Sequence, residues 1–145
     1  MRRIQRDICH EELIKTLTGV DTGVFGEIWR VLLFAASLGY RAGKRKKLNK
    51  VDSGKAMPES YFSTPGWKGF LYLLAVCDSN TSDPLKNDPQ QQEFLVQLFE
   101  EYANQGLFML EERLETSVSP IDDLISLLVE QSSEKVGNAD VEDLI

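Results

Sequence analysis

Residues 24–40 read VFGEIWRVLLFAASLGY, and from Trp29 onward the run is apolar nearly all the way round a helix. A helix without a polar stripe has to be covered on every side, which places it in the middle of a bundle. The spacing predicts a helix over about 23–38, with Gly39 or Gly43 able to supply the left-handed residue that stops it. Upstream, Ile8, Leu13, Ile14 and Leu17 alternate with Asp7, Glu11, Glu12 and Lys15, which predicts an amphipathic helix over 6–17 that ends near Gly19. Downstream, 40–58 (YRAGKRKKLNKVDSGKAMP) has no helical period, and Asp52-Ser53-Gly54 is a turn signal. A short basic hairpin or an extended loop is expected there.

Three further helices announce themselves by a cap residue followed by proline. Thr64-Pro65 opens one through Trp67, Phe70, Leu71, Leu73, Leu74 and Val76. Asp88-Pro89 opens the longest, in which Phe94, Leu95, Leu98, Phe99, Tyr102, Leu107, Leu110 and Leu114 recur at threes and fours as far as about Glu115. Gly106 inside it costs about 1 kcal/mol relative to alanine, so it marks a close helix crossing or a kink. Ser119-Pro120 opens the last, through Ile121, Leu124, Ile125, Leu128 and Val129, with fraying beyond Gln131. The expected fold is all-α, a compact bundle of about five helices with a basic loop or short hairpin between helices two and three. Residues 1–132 are expected to form one helical domain and 133–145 an acidic C-terminal tail.

The chain has 145 residues, 42% hydrophobic and 27% charged, which is enough to bury a core without disulfides or a structural metal. Cys9 and Cys77 lie far apart with no CxxC pair or Cys/His cluster, as in a reduced compartment. The start MRRIQRDICHEELIK is basic like an export signal, but Asp7, His10, Glu11 and Glu12 fall where an apolar core would run. The longest strongly apolar stretch, 31–36, is far shorter than a membrane span. The cytoplasm is therefore the expected location.

Charge is unevenly distributed. Residues 1–55 carry 12 basic and 6 acidic side chains, whereas 100–145 carry 2 basic and 12 acidic, within a net charge of -7. Arg41, Lys44, Arg45, Lys46, Lys47, Lys50 and Lys55 fall within fifteen positions, opposed only by Asp52. Such a run fits a loop that contacts nucleic-acid phosphates, releasing counterions, and equally a loop that pairs with acidic helices of its own chain or a partner. Only Tyr40, at its edge, offers a ring for base stacking. The acidic C-terminal third reads as the polar face of surface helices or as a docking face for a basic partner.

No catalytic pattern emerges. His10, the one histidine, is adjacent to Cys9, so on a helix the two side chains diverge by about 100°. Glu100-Glu101, Glu111-Glu112 and Asp122-Asp123 have no ExxH partner to build a carboxylate metal site. Ala42-Gly43-Lys44 lacks the surroundings of a phosphate-binding loop, and there is no GxSxG elbow. A non-enzymatic binding or regulatory module without cofactor or metal is expected.

Four stretches together resemble the DNA phosphorothioation-associated protein 4 family, the Dnd system-associated proteins of bacteria. They are RDICHEELIKTL (6–17), FGEIWRVLLFAASLGYRAGKRKKL (25–48), YFS (61–63) and LFEEYANQGLFMLEERL (98–114). The resemblance implies an accessory subunit of a DNA phosphorothioation-linked modification or restriction system in phage defence. Its partners would be other proteins of that system and the DNA backbone, and it carries over no catalytic residue. The alternative is a stand-alone DNA-binding regulator that uses the basic 41–55 segment, which the net charge of -7 disfavours. Glu100, Glu101, Tyr102, Asn104, Glu111 and Glu112 are the candidates for a partner-binding face. The competing reading of the same patch is that Tyr102 and Gly106 fix a helix crossing while Asn104 satisfies a buried backbone group.

Overall fold

A computed structural model describes residues 1–19, 23–64 and 66–133. The described residues form six helices: α1 (Glu11–Thr18), α2 (Ile28–Ala42), α3 (Ser60–Ser63), α4 (Lys68–Ser79), α5 (Pro89–Leu114) and α6 (Pro120–Ser133). A 3₁₀ turn, Ile8–His10, leads into α1, and two more fall in connecting segments. No named strand occurs among the described residues, so the fold is all-α. The chain divides into two compact units, Met1–Glu112 and Arg113–Ile145.

In the first unit α2 and α5 run antiparallel at backbone contact. A Cβ on Gly106 would stand 1.7 Å from the carbonyl oxygen of Ala35, and one on Gly39 would stand 2.2 Å from that of Tyr102. Two small residues, 35 and 39, therefore face two positions, 102 and 106, at the same four-residue spacing. Gly106 marks a crossing. Gly39 is committed to this contact, and Gly43 (φ 68°) is the left-handed residue that ends α2. Around the crossing Val31, Leu32, Ala36, Leu95, Val96, Phe99, Ala103, Leu107 and Leu110 are buried. Phe62 of α3 packs edge-on against both Phe99 and Trp29. Each large side chain so buried contributes roughly 1.5–3 kcal/mol.

The sequence signals hold unevenly. Asp88 caps α5, accepting from the Gln90 N–H at 2.8 Å, and α6 begins at Pro120 as expected. The helix expected from Thr64-Pro65 begins only at Lys68, because Thr64 closes the preceding turn: its N–H bonds the Ser60 carbonyl; Pro65 lies outside the described residues. The basic segment is the extended loop, not a hairpin with itself. It pairs with the N-terminal segment through antiparallel bridges Ile4–Met57 and Asp7–Val51.

In the second unit Arg113 makes a bidentate pair with Glu130 (2.8 and 2.6 Å), and Ser117 bonds Asp123. Leu124 and Leu127 are buried, whereas Ile121, Ile125, Leu128 and Val129 are exposed. The tail expected over 133–145 lies, beyond Ser133, outside the described residues.

Candidate nucleic-acid interface

Apart from the 3₁₀ turn Ser53–Lys55, residues 44–57 have no helix of their own, so most of their backbone polar groups need partners elsewhere. They find them on α5 and on the N-terminal segment. The Lys46 N–H donates to the Glu101 carbonyl at 3.1 Å, and the Ile8 N–H donates to that of Lys50 at 2.9 Å. Asn104, 2% exposed, donates through Nδ2 to the carbonyls of Lys46 (3.0 Å) and Lys47 (3.2 Å). Asp7 accepts from the N–H groups of Asn49 (2.7 Å) and Lys50 (3.3 Å) through one oxygen and from Cys9 (3.0 Å) through the other. Burial of the Asp7 carboxyl would raise its pKa, but these bonds from the Cys9, Asn49 and Lys50 backbone outweigh it and hold the group down at about 2.

Beneath the loop sits His10, fully buried, with Phe108 edge-on at 4.4 Å. Its Nε2 lies 2.7 Å from Asn104 Oδ1 and its Nδ1 2.7 Å from Glu111 Oε1. Because Asn104 turns its NH₂ toward two carbonyls, its oxygen must face the imidazole, so Nε2 carries a proton. Nδ1 is occupied by the Glu111 carboxyl group. Neither ring nitrogen is left for Cys9, whose thiol is pushed up to about 11 by partial burial and then by Asp7.

With the backbone held, the cationic side chains reach the surface, Arg41 from the last turn of α2 and the others from the loop. Arg41, Lys44, Arg45, Lys46, Lys47, Lys50 and Lys55 are all exposed. Arg45, Lys46 and Lys55 lie back on the protein. Arg45 is 3.9 Å from Glu101 and over the Tyr102 ring, Lys46 is 3.8 Å from the Phe108 ring centroid, and Lys55 is 3.3 Å from Glu11. Lys44, Lys47 and Lys50 pair with no carboxylate or ring among the described residues. The bridge to the N-terminal segment brings Arg3 and Arg6 alongside Lys55, two cations that sequence reading left aside. Only the pairing of two remote segments reveals them, although the opening Arg2-Arg3 was visible as a basic start.

The expected partner-binding face is mostly interior. Glu100 is 7% exposed; it holds Arg2 in a bidentate pair (2.8 and 2.8 Å) and accepts from the Gln5 N–H at 2.6 Å. The Arg2 guanidinium is raised by its hydrogen bonds to Glu100, against partial desolvation, with Glu93 adding to the shift. Glu101, also 7% exposed, bonds Gln97 at 3.0 Å. Tyr102 donates to Asp78 at 2.5 Å, and burial, then that bond, pushes its phenol up to about 12. Glu111 is taken by His10, and only Glu112 is fully at the surface. The alternative reading of this patch therefore describes the observed contacts: Tyr102 and Gly106 sit in the α2–α5 crossing and Asn104 satisfies buried carbonyls.

Fold and site together define a small all-α protein that displays a clamped cationic loop on its longest helix. By sequence the chain belongs to the family of DNA sulphur modification system-associated protein 4, which matches residues 3–145. It is thereby associated with a DNA sulphur modification system. No curated protein and no solved structure matches the chain. No helix among the described residues is long and apolar enough to cross a membrane.

Proposed function

We propose that the protein is a non-enzymatic accessory subunit of a DNA phosphorothioation-linked modification or restriction system in phage defence. It acts in the cytoplasm, binding other proteins of the system and touching the DNA backbone through the 44–50 loop. The observation that carries this reading is the contrast within the loop: its backbone is tied down, yet Lys44, Lys47 and Lys50 remain exposed and without an ion pair among the described residues. Cations that fold stability leaves unpaired, on a backbone that loses little freedom on binding, suit an anionic surface. The net charge of -7 opposes contact with a polyanion at long range. Screening over about 8 Å at physiological salt confines that opposition, so the loop works at short range with a partner bringing the DNA near.

The test is a fluorescence-anisotropy titration of the full chain against plain and phosphorothioated duplexes of one sequence at two salt concentrations. Binding should weaken steeply with salt, and Lys44→Ala, Lys47→Ala and Lys50→Ala combined should flatten the logarithmic salt slope by about 0.9 for each phosphate no longer neutralised. Absence of salt-sensitive binding at low salt would leave only the protein-protein half of the reading. Failure to co-purify with any component in cells that contain the whole system would remove that half.

A further inference from the structure

The pairing of residues 4–7 with 51–57 does more than hold the loop, since it also builds part of a cleft of about 680 Å³. That size falls within the roughly 300–1,000 Å³ of small-ligand sites. Its lining includes Arg3, Arg6, Lys55, Glu27, Trp29 and Tyr61.

The charged groups described there are mainly cationic. Arg6, buried to 8% exposure, and Lys55 share a single carboxylate, Glu11, at 2.8 and 3.3 Å. Among the described residues the Arg3 guanidinium meets the Ala56 carbonyl, at 3.4 Å, and no carboxylate. The Glu27 carboxylate accepts the Trp29 indole N–H. Among the described lining residues three cations stand against the one carboxylate of Glu27, with Glu11 behind them, so the cleft is positive on balance and suits an anionic group such as a phosphodiester. Rings stand beside these cations. Trp29 is fixed by its edge-on packing against Phe62 at 6.3 Å, while Tyr61 is 52% exposed. An aromatic face beside a cation is what binds an unstacked base together with its phosphate. Lys55 belongs both to the cleft and to the basic loop, so a strand lying along the loop would lead into the cleft.

We propose that the cleft takes one unstacked nucleotide of a DNA strand, its phosphate at Arg3 and Lys55 and its base on the Tyr61 ring. This rests on the DNA-contacting reading above and gives it a substrate class, a strand with an accessible base.

The experiment titrates the full chain with a fluorescent oligothymidylate and with an abasic oligomer of equal length. The thymidylate should bind more tightly. Tyr61→Ala should weaken it about tenfold without changing the abasic oligomer, Tyr61→Phe should bind like the native chain, and Arg3→Ala should weaken both. Equal binding of the two oligomers, or a Tyr61→Ala variant that binds thymidylate normally, would overturn the proposal. So would a polyglutamate peptide that binds with Arg3 dependence where thymidylate does not. The duplex titration of the Lys44, Lys47 and Lys50 variant reads the loop separately. If only that arm behaves as expected, the cleft proposal falls and the loop reading stands; if only the thymidylate arm does, the reverse holds.

Discussion

Residues 44–50 and 100–104 are both charged runs, and they use their charge in opposite ways. In the loop the backbone is bound and the side chains of Lys44, Lys47 and Lys50 are exposed. On α5 the helix satisfies the backbone, and the side chains of Glu100, Glu101 and Asn104 are drawn inward onto Arg2, Gln97, His10 and the loop carbonyls. Charge in a sequence therefore does not give availability. What decides it is which atoms the local backbone leaves unsatisfied: the loop needs partners for its carbonyls and amides, and α5 and the N-terminal segment supply them.

The contrast breaks most severely at the crossing that positions α5. Gly106→Ala puts a methyl 1.7 Å from the Ala35 carbonyl oxygen, a backbone atom that cannot rotate aside. The expected loss is at the upper end of about 1–3 kcal/mol or beyond it, read as a lower urea midpoint.

Next comes the clamp itself. Asn104→Asp keeps the shape but turns the NH₂ that serves Lys46 and Lys47 into an oxygen, so two carbonyls lose their donor beside a carboxylate. A loss of about 2–3 kcal/mol is expected, together with faster amide exchange at Lys46 and Asn49. Unchanged exchange at those amides would mean that the loop is held without Asn104.

Asp7 gives a pH signature. Its native value of about 2 lies below the ordinary 3.8, so the folded state favours the ionised carboxylate. Its contribution is complete above the unfolded value and is lost as pH falls from about 4 through 2. A shift of that size corresponds to about 2 kcal/mol. Urea unfolding at pH 5 and pH 2 should show the native chain losing about that much more than Asp7→Asn. Equal losses would mean that the three amide bonds are not formed.

How far the sequence carried the fold follows from the range of each signal. The apolar run after Trp29, the three-and-four spacing of α5 and the Asp88-Pro89 cap are local; α5 stands where its pattern put it, whereas α2 runs over Ile28–Ala42 rather than about 23–38, because it starts only after the extended Glu27 and carries on past Gly39 to the left-handed Gly43. Gly106 announced a crossing or a kink, because a glycine in a long helix otherwise only costs stability, and the Ala35 backbone against it makes it a crossing. The Thr64-Pro65 signal misled because Thr64 was already engaged with Ser60. The clamp was not legible, since it joins His10, Asn104, Asp7 and residues 46–50 across separations of 42 to 94 residues. Local spacing holds no trace of such contacts, and a lone buried histidine looks the same in sequence as an exposed one. The cations of 41–55 were legible as a group, but the separation of Arg45, Lys46 and Lys55, which fold back, from Lys44, Lys47 and Lys50, which make no ion pair among the described residues, was not.

That division yields the smallest and most diagnostic effect. Lys44, Lys47 and Lys50 make no ion pair among the described residues, and like charges in one loop repel. Replacing all three by alanine should therefore leave stability within about 0.5 kcal/mol for each site, with any change at low salt in the stabilising direction and shrinking as salt is added. Replacing Arg2, by contrast, strips Glu100 of its bidentate partner inside the protein and should destabilise at every salt concentration. If the lysine variant instead lost stability in proportion to the charges removed, the loop cations would be part of the fold. Their exposure would then say nothing about an anionic partner.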